Sequence, residues 1–103
     1  MGRNKVIYIS GPIMGVPEYY KAFEAMEEEL YGLGYIPLSP SRLPGGLSDA
    51  QFMRIRLAMI DSADAVILLS GWSKSVGARF EKEYCLYTNK KVFANLNRLL
   101  EVM

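Results

Sequence analysis

Apolar strand-like segments and helical stripes alternate strictly along this chain, and this alternation constrains its fold more than any other feature. The predicted strands cover residues 5–10, 35–39, 64–70 and 90–96. A predicted helix lies between each pair of strands, and a short helical tail follows the last strand. Strands that alternate with helices form a mostly parallel sheet with right-handed crossovers. The sequence therefore predicts an α/β fold, as a single domain over residues 1–103 with four to five strands.

Local signals place the boundaries of these helices. Pro17 suits the first position of the first helix, whose apolar stripe recurs at spacings of four and three in Tyr19, Phe23, Met26, Leu30 and Leu33. Ser48 and Gln51 form a capping-box pattern that starts a second helix, which runs to about residue 61. Ser75 begins a third, which runs to about residue 87. Pro37 marks the second strand as an edge candidate.

Composition excludes several classes of function. Half of the residues are hydrophobic, so a real core is affordable, and the net charge is only +1. Nucleic-acid polymers need a basic patch, so they are not expected as partners. The apolar run at residues 6–10 is too short for a signal peptide core or a membrane span. The chain has no histidine and a single cysteine, Cys85. These features predict a cytoplasmic protein without disulfides, away from membranes and without a histidine-based zinc site.

Three loops should meet at the carboxyl ends of the strands, where open α/β sheets bind their ligands. Their sequences are "GPIMG" (11–15), "PSRLPGGL" (40–47) and "GWSKSVG" (71–77). In the first loop, Gly11 and Gly15 allow a close approach of the backbone to a ligand, and the helix that follows offers free N–H groups to an anion. A tight strand–helix turn explains the same pattern, and the spacing alone does not decide between the two.

The stretch "SVGARFE" (75–81) places a glutamate near the start of the third helix. Glu81 follows Gly77 by four residues and therefore lies on the same helical face. Helical side chains lean toward the N-terminus, so the carboxylate is predicted to lie over the Gly77 turn, beside free backbone amides. The alternative is an ordinary solvated helix residue, and the spacing leaves both open.

Three stretches together resemble the nucleoside 2-deoxyribosyltransferase-like superfamily, most of all a small bacterial and phage branch of domains of unknown function. They are "KVIYISGPIMG" (5–15), "DSADAVILLSGW" (61–72) and "SVGARFEKEY" (75–84). The resemblance implies a three-layer flavodoxin-like or Rossmann-like fold and a site for a nucleoside or nucleoside 5′-monophosphate. It further implies hydrolysis or transfer at the N-glycosidic bond, in which Glu81 attacks C1′ without a metal or cofactor. An oxocarbenium-like transition state agrees with a carboxylate in that role.

The same resemblance implies ligand contacts and an assembly. The contacts fall on small or strand-end residues, namely Tyr8, Gly11, Ile13, Gly15, Ser75 and Gly77. Trp72 would either stack on a base or cover the sheet edge. Relatives form dimers and higher assemblies, and aromatic residues at helical spacing indicate an exposed apolar helix face here. A homo-oligomer, either a dimer or a tetramer, is therefore expected.

Two positions depart from the pattern of these relatives. Arg56 stands where relatives carry an aspartate, which is a reversal of charge in the predicted ligand site. Asp49, seven residues earlier on the same helical face, is a candidate substitute carboxylate. Met14 stands where monophosphate hydrolases have an arginine, and Arg56, Arg79 or Lys74 could supply that positive charge. The sequence thus supports two hypotheses: an N-glycosidic enzyme, or a nucleotide-binding module without turnover that acts as a sensor or sponge.

Overall fold

Four strands form a single parallel sheet in the computed structural model, which describes residues 5–103. They are β1 (Val6–Ser10), β2 (Ile36–Leu38), β3 (Ala65–Leu68) and β4 (Lys91–Phe93). Their spatial order is β2-β1-β3-β4, and every pair of neighbours is parallel. The α/β class and the parallel sheet predicted from the alternating pattern are therefore confirmed, with four strands among the described residues.

Helices cover both faces of this sheet and give three layers. They are α1 (Tyr20–Gly32), α2 (Asp49–Ser62), α3 (Val76–Tyr87) and α4 (Leu96–Val102). One core cluster packs Phe23 and Leu30 of α1 and Leu99 of α4 against the sheet, whereas a second packs Ile60 of α2 and Cys85 of α3 against its other face. This arrangement confirms the flavodoxin-like or Rossmann-like fold. Among residues 5–103, no helix has both the length and the apolar character needed to span a membrane.

The central strand β1 serves both cores because alternate side chains of a strand point to opposite faces. Ile7 and Ile9 belong to the core under α1 and α4, and Tyr8 belongs to the core under α2 and α3. Ser10, two residues after Tyr8, therefore faces the same helices as Tyr8. The chain leaves β1 toward β2 on one side, while β3 lies on the other, which makes a topological switch point at the carboxyl ends of β1 and β3.

Several local predictions are confirmed. Ser48 and Gln51 form a complete capping box, in which the Ser48 Oγ accepts from the Gln51 amide at 3.1 Å and the Gln51 Oε1 accepts from the Ser48 amide at 3.0 Å. The Ser75 Oγ caps α3 by accepting from the Ala78 amide at 3.2 Å. The strand that contains Pro37 lies at the edge of the sheet. Side-chain capping thus fixes where α2 and α3 begin.

Two predicted boundaries are wrong. The first helix begins at Tyr20 and not at Pro17, because Glu18 adopts a positive φ of 53° and interrupts the helical path. The fourth strand ends at Phe93, three residues earlier than predicted. Asn95 ends the extended segment because its side chain accepts from the Arg98 amide at 2.9 Å and caps α4. In both cases a local turn overrides the apolar pattern.

We expect Gly11→Ala to destabilise the fold, because Gly11 packs directly against the side chain of Leu69. A Cβ at position 11 would lie 2.8 Å from the Leu69 Cβ and 2.8 Å from its Cδ1. Leu69 is itself buried, so the overlap must be relieved by strain, which costs about 1–3 kcal/mol of unfolding free energy. Urea denaturation measures the loss.

Gly32→Ala is the matched control for this substitution. A Cβ at Gly32 would meet no atom within 4 Å, and the residue lies in the last turn of α1. Alanine is the better helix former, so this variant should be as stable as the parent or slightly more stable. Equal stabilities for the two variants would contradict the close packing of Gly11.

Candidate functional site

Glu81 is fully buried between α3 and the sheet. The residues that α3 turns toward the sheet are Ala78, Glu81 and Cys85, which share a helical face at spacings of three and four. Glu81 has no exposed surface. The alternative of a solvated helix residue is therefore wrong, and a carboxylate lies in a place where an unpaired charge would be costly.

Hydroxyl groups of β1 hold both oxygens of this carboxylate. The Tyr8 Oη donates to the Glu81 Oε2 at 2.7 Å, and the Ser10 Oγ donates to the Oε1 at 2.6 Å. Tyr8 and Ser10 can act together because residues two apart on a strand share a face. Short hydrogen bonds to an ionised acceptor are the strong ones, so the position of the carboxylate is well defined.

Arg56 supplies the charge that balances Glu81. It belongs to the buried face of α2, together with Ile60 one turn later. Its Nε donates to the Glu81 Oε2 at 2.6 Å and to the Tyr8 Oη at 3.3 Å. The two side chains are only 4% and 0% exposed, so this is a buried ion pair. The structure thus brings together three of the residues predicted from the sequence: Tyr8, Arg56 and Glu81.

Burial and this charge pair shift the pKa values of the network. Burial, followed by the negative charge of Glu81, raises the pKa of Tyr8 well above its usual value. Burial lowers the pKa of Arg56, but the charge of Glu81 and the hydrogen bonds outweigh it, so the net shift is upward. Tyr8 therefore acts as a neutral hydrogen-bond donor, and Arg56 carries its charge throughout the physiological range. Nearby, burial raises the pKa of the Cys85 thiol to about 11.

A cleft of about 360 Å³ opens beside this network, at the carboxyl edge of the sheet. The loop after β1, the first half of α2 and the first turn of α3 line it, through Met14, Asp49, Phe52, Met53, Arg56, Val76 and Gly77. Most of these side chains are apolar, and the Phe52 ring centroid lies 5.3 Å from the guanidinium carbon of Arg56. Ligand sites are commonly apolar clefts of this size with a few polar groups that fix orientation.

At the Gly77 turn, the cleft is bounded by Arg56 and not by Glu81. A Cβ at Gly77 would lie 3.4 Å from the Arg56 Nη1 and 3.6 Å from its Nη2. The guanidinium of Arg56, and not the predicted carboxylate of Glu81, is therefore the charged group nearest this turn, because the hydroxyls of Tyr8 and Ser10 hold the carboxylate at β1. The Arg56 Nη2 is buried and makes no hydrogen bond to any described residue.

The loop after β1 contributes Met14 to the cleft, whereas its other predicted contacts lie elsewhere. Gly11 packs against Leu69, and Ile13 is buried in the core under α1. Gly15 is exposed, with a φ of 72° that suits glycine. Ligand contacts at these three positions stay predictions.

The loop after β3 places its predicted residues around the start of α3. Ser75 caps this helix, as described above, and is half-buried. Trp72 is also half-buried, and the Lys82 Nζ lies 5.0 Å from the centroid of its ring. This cation–π contact uses one face of the indole, so the choice between base stacking and covering the sheet edge stays open.

Sequence reasoning missed four residues of the site. Ser10 holds the carboxylate, and Phe52, Met53 and Val76 line the cleft. Their signal was positional: Ser10 follows Tyr8 by two residues on a strand, and Phe52 and Met53 precede Arg56 by one helical turn. None of these residue types is diagnostic by itself, so only their spacing from Tyr8 and Arg56 could have indicated the first three, and Val76 left no such signal.

The cleft offers one buried cation, apolar walls and one carboxylate at its mouth. Such a site suits a ligand that combines an anionic group with a flat apolar one. Glu81 lies behind the guanidinium, so direct contact between its carboxylate and a ligand requires Arg56 to move. Within residues 5–103, no cluster of three or more cysteine, aspartate or glutamate side chains is arranged to hold a metal ion.

Comparison with known proteins adds a family and a structural relative. The sequence profile of a family described as a domain of unknown function, DUF4406, matches residues 5–94. The fold is similar to that of a 2-deoxyribosyltransferase from Leishmania mexicana, with a TM-score of 0.68 and 24% identity, over 85% of this chain and 61% of that one. This chain thus spans about three fifths of the length of its structural relative. No curated protein matches this sequence.

We expect substitutions of Arg56 and Glu81 to have strongly coupled effects on the unfolding free energy. Glu81→Gln leaves the Arg56 charge buried without a partner, and Arg56→Met does the same to Glu81, so each should cost about 3–5 kcal/mol. The double variant Arg56→Met/Glu81→Gln removes both charges and should lose much less than the sum. A double-mutant cycle by chemical denaturation gives the coupling energy.

The exposed pair of Arg98 and Glu101 is the control for this cycle. Its side chains are 69% and 63% exposed and its N···O distance is 3.3 Å. Because exposed pairs contribute little, Glu101→Gln should change the unfolding free energy by less than about 1 kcal/mol. If the double variant loses as much unfolding free energy as the sum of the Arg56→Met and Glu81→Gln losses, the two charges are not coupled, which would contradict the buried ion pair.

Alkaline pH should destabilise the protein through Tyr8. The folded state raises the pKa of Tyr8, so the unfolded chain releases this proton near pH 10 while the folded chain keeps it. The contribution of Tyr8 is fully present below pH 10 and decreases above it, by up to about 1.4 kcal/mol per pH unit. Denaturation between pH 8 and 11.5 should give a shallower decline for Tyr8→Phe than for the parent, whereas Tyr87→Phe, with a ring that is 95% exposed, should follow the parent.

Proposed function

We propose that this chain, which belongs to the family described as a domain of unknown function (DUF4406), binds a nucleoside or nucleoside 5′-monophosphate in the cleft and releases it unchanged. In this proposal the domain is a sensor or sponge for such a ligand. The cleft between α2, α3 and the loop after β1 is the binding site. Arg56 is its central polar contact, and Phe52, Met14 and Val76 form its apolar walls.

The observation that carries this proposal is the pairing of Arg56 with Glu81. A nucleophilic carboxylate must reach C1′ of the sugar at near-contact distance. Glu81 instead has no exposed surface, and both of its oxygens accept hydrogen bonds at 2.6–2.7 Å. A carboxylate held in this way, with a permanent positive charge against it, is a weak nucleophile. Binding without bond cleavage therefore fits the site best.

The class of ligand is supported by the cleft and by the family resemblance. A volume of about 360 Å³ is sufficient for a ligand of nucleotide size. Phe52 offers an aromatic ring to a base, and the Arg56 guanidinium offers charge-assisted hydrogen bonds to oxygen atoms. The motifs around Tyr8, Gly77 and Glu81 resemble those of proteins that act on nucleosides, and the structural relative is titled a deoxyribosyltransferase.

The second candidate function is N-glycosidic hydrolysis or deoxyribosyl transfer, with Glu81 as the nucleophile. One observation favours it: Tyr8 and Ser10 fix the orientation of the carboxylate directly behind Arg56, which lines the cleft. In this mechanism Arg56 moves aside, Glu81 attacks C1′, the base leaves, and water or a second base takes the sugar. Asp49 lines the same cleft and is the candidate second carboxylate.

The remaining predicted contacts and the assembly belong to the same proposal. Gly11, Ile13, Gly15, Ser75 and Trp72 would surround the ligand from the loops that follow β1 and β3. A homo-oligomer, dimer or tetramer, would cover large side chains that this chain leaves exposed on its helices. Examples are Tyr31, Phe80, Leu86 and Tyr87.

Incubation with a panel of nucleosides, deoxynucleosides and their 5′-monophosphates tests both candidates. The protein at micromolar concentration is mixed with each compound, and mass spectrometry follows free base in solution and ligand retained by the native protein. We expect at least one compound to be retained intact, with no base released above a protein-free blank. Release of free base by the parent protein would contradict the binding proposal.

Two variants assign any release that occurs. Glu81→Asp keeps the charge, so this variant should still pair with Arg56. Because its carboxylate is withdrawn by one methylene, it should abolish the release of base if Glu81 is the nucleophile. Glu83→Gln, an exchange at an exposed glutamate on the same helix, should leave release unchanged. Release that survives in Glu81→Asp would exclude Glu81 as the nucleophile.

A further inference from the structure

We infer that the ligand is a phosphate ester and that its phosphate lies inside the cleft against the guanidinium of Arg56, beside Glu81, with the base directed outward. This inference rests on the proposed binding function and specifies the orientation of the ligand. The family resemblance implies that C1′ of the sugar lies against Glu81, whereas here the Arg56 guanidinium stands between that carboxylate and the ligand. It names Arg56 as the residue that determines specificity.

The guanidinium has hydrogen-bonding capacity that the protein does not use. Its Nε side is occupied by the Glu81 Oε2 and the Tyr8 Oη. A second nitrogen of the same group, Nη2, is buried and has no hydrogen-bond partner among the described residues. A buried donor left unpaired is costly, so the arrangement is explained best by an acceptor that arrives with a ligand.

The unpaired nitrogen of the Arg56 guanidinium lies near the first turn of α3. Nη1 and Nη2 are 3.4 and 3.6 Å from the position that a Cβ of Gly77 would take. Gly77 is the second residue of this 12-residue helix, whose first amides lack partners within the helix. The guanidinium therefore lies near the N-terminus of α3, where the free backbone N–H groups and the helix dipole favour a negative charge.

The other end of the cleft disfavours a phosphate. Asp49 precedes Arg56 by seven residues on α2, which places it about 10 Å away along the helix axis. Its carboxylate would repel a phosphate at the mouth but can accept hydrogen bonds from a sugar hydroxyl or a base amino group. Phe52 and Met14 lie in the lining between, where an apolar ring can pack. Glu81 already balances the Arg56 charge, so it is the unpaired Nη2 donor at the inner end, together with repulsion from Asp49 at the mouth, that orders the ligand with its phosphate inward.

Met53 controls access to the guanidinium. Its Cε lies 3.7 Å from the same Gly77 Cβ position that the Arg56 Nη atoms approach. Methionine side chains are flexible and adapt to what they contact, so a change of rotamer opens this point to the cleft. The Met53 methyl group is therefore a local reporter of a bound phosphate, and the Met14 methyl group reports the base.

Calorimetric titration of matched pairs tests the inference. Each nucleoside and its 5′-monophosphate are titrated into the parent protein, together with ribose 5-phosphate and inorganic phosphate as base-free probes. We expect the phosphate to tighten binding roughly tenfold to a hundredfold, because hydrogen bonds to a charged group carry energies of that size. With methyl-labelled methionine, inorganic phosphate should shift the Met53 signal, whereas Met14 should respond only to ligands that contain a base.

Three variants locate the phosphate. Gly77→Ala places a methyl group against the Arg56 Nη atoms without changing any charge, and should reduce the phosphate gain at least fivefold while the helix remains intact. Arg56→Gln should abolish the gain. Arg54→Gln, at an exposed arginine on the same helix, should retain it. Gly77→Ala keeps the test valid if Arg56→Gln fails to fold.

The outcomes separate the inference from the proposed function. Equal affinities for nucleosides and monophosphates would overturn the inference and leave nucleoside binding standing. A phosphate gain that survives in Gly77→Ala or in folded Arg56→Gln would place the phosphate elsewhere and would also overturn the inference. If no compound of either kind binds the parent protein, the proposed function itself fails.

Discussion

The buried ion pair between Arg56 and Glu81 is the interaction on which the rest of the site depends. It joins α2 to α3 above β1, so three separate segments of the chain meet at one pair of charges. Each charge is tolerable in the interior only because the other is present. Tyr8 and Ser10 complete the shell with two hydroxyl donors. The position of the cleft follows, because the same Arg56 side chain is part of its lining.

Local chemistry made much of the fold predictable from the sequence. The capping box at Ser48, the cap at Ser75 and the edge position of the strand with Pro37 each depend on residues within a few positions of one another. The predicted start of the first helix was wrong because the positive φ of Glu18 leaves no signal in the apolar pattern. Predictions thus succeeded where the determinant was local and composed of characteristic residue types.

The site was predictable only in part, for the same reason. The spacing from Gly77 placed Glu81 on the correct helix, but its actual partner, Arg56, lies 25 positions away on another helix. No periodicity within α3 indicates that such a charge will be present. The Glu81 side chain is instead held at β1 by the hydroxyls of Tyr8 and Ser10, and Arg56 lies nearest the Gly77 turn. A long-range charge pair can be proposed from sequence only after the packing of the two helices is known.

The positive charge at position 56 and the burial of Glu81 are physically linked. A carboxylate at position 56 would repel that of Glu81 and would leave it without a cation, so Glu81 would gain by turning toward the cleft or a ligand. An arginine there attracts Glu81 instead and balances its charge. The same arginine adds a buried, unpaired donor near the start of α3. In the proposed function, one residue thus supplies a positive binding group where relatives are expected to carry a carboxylate, while the α/β framework is the same.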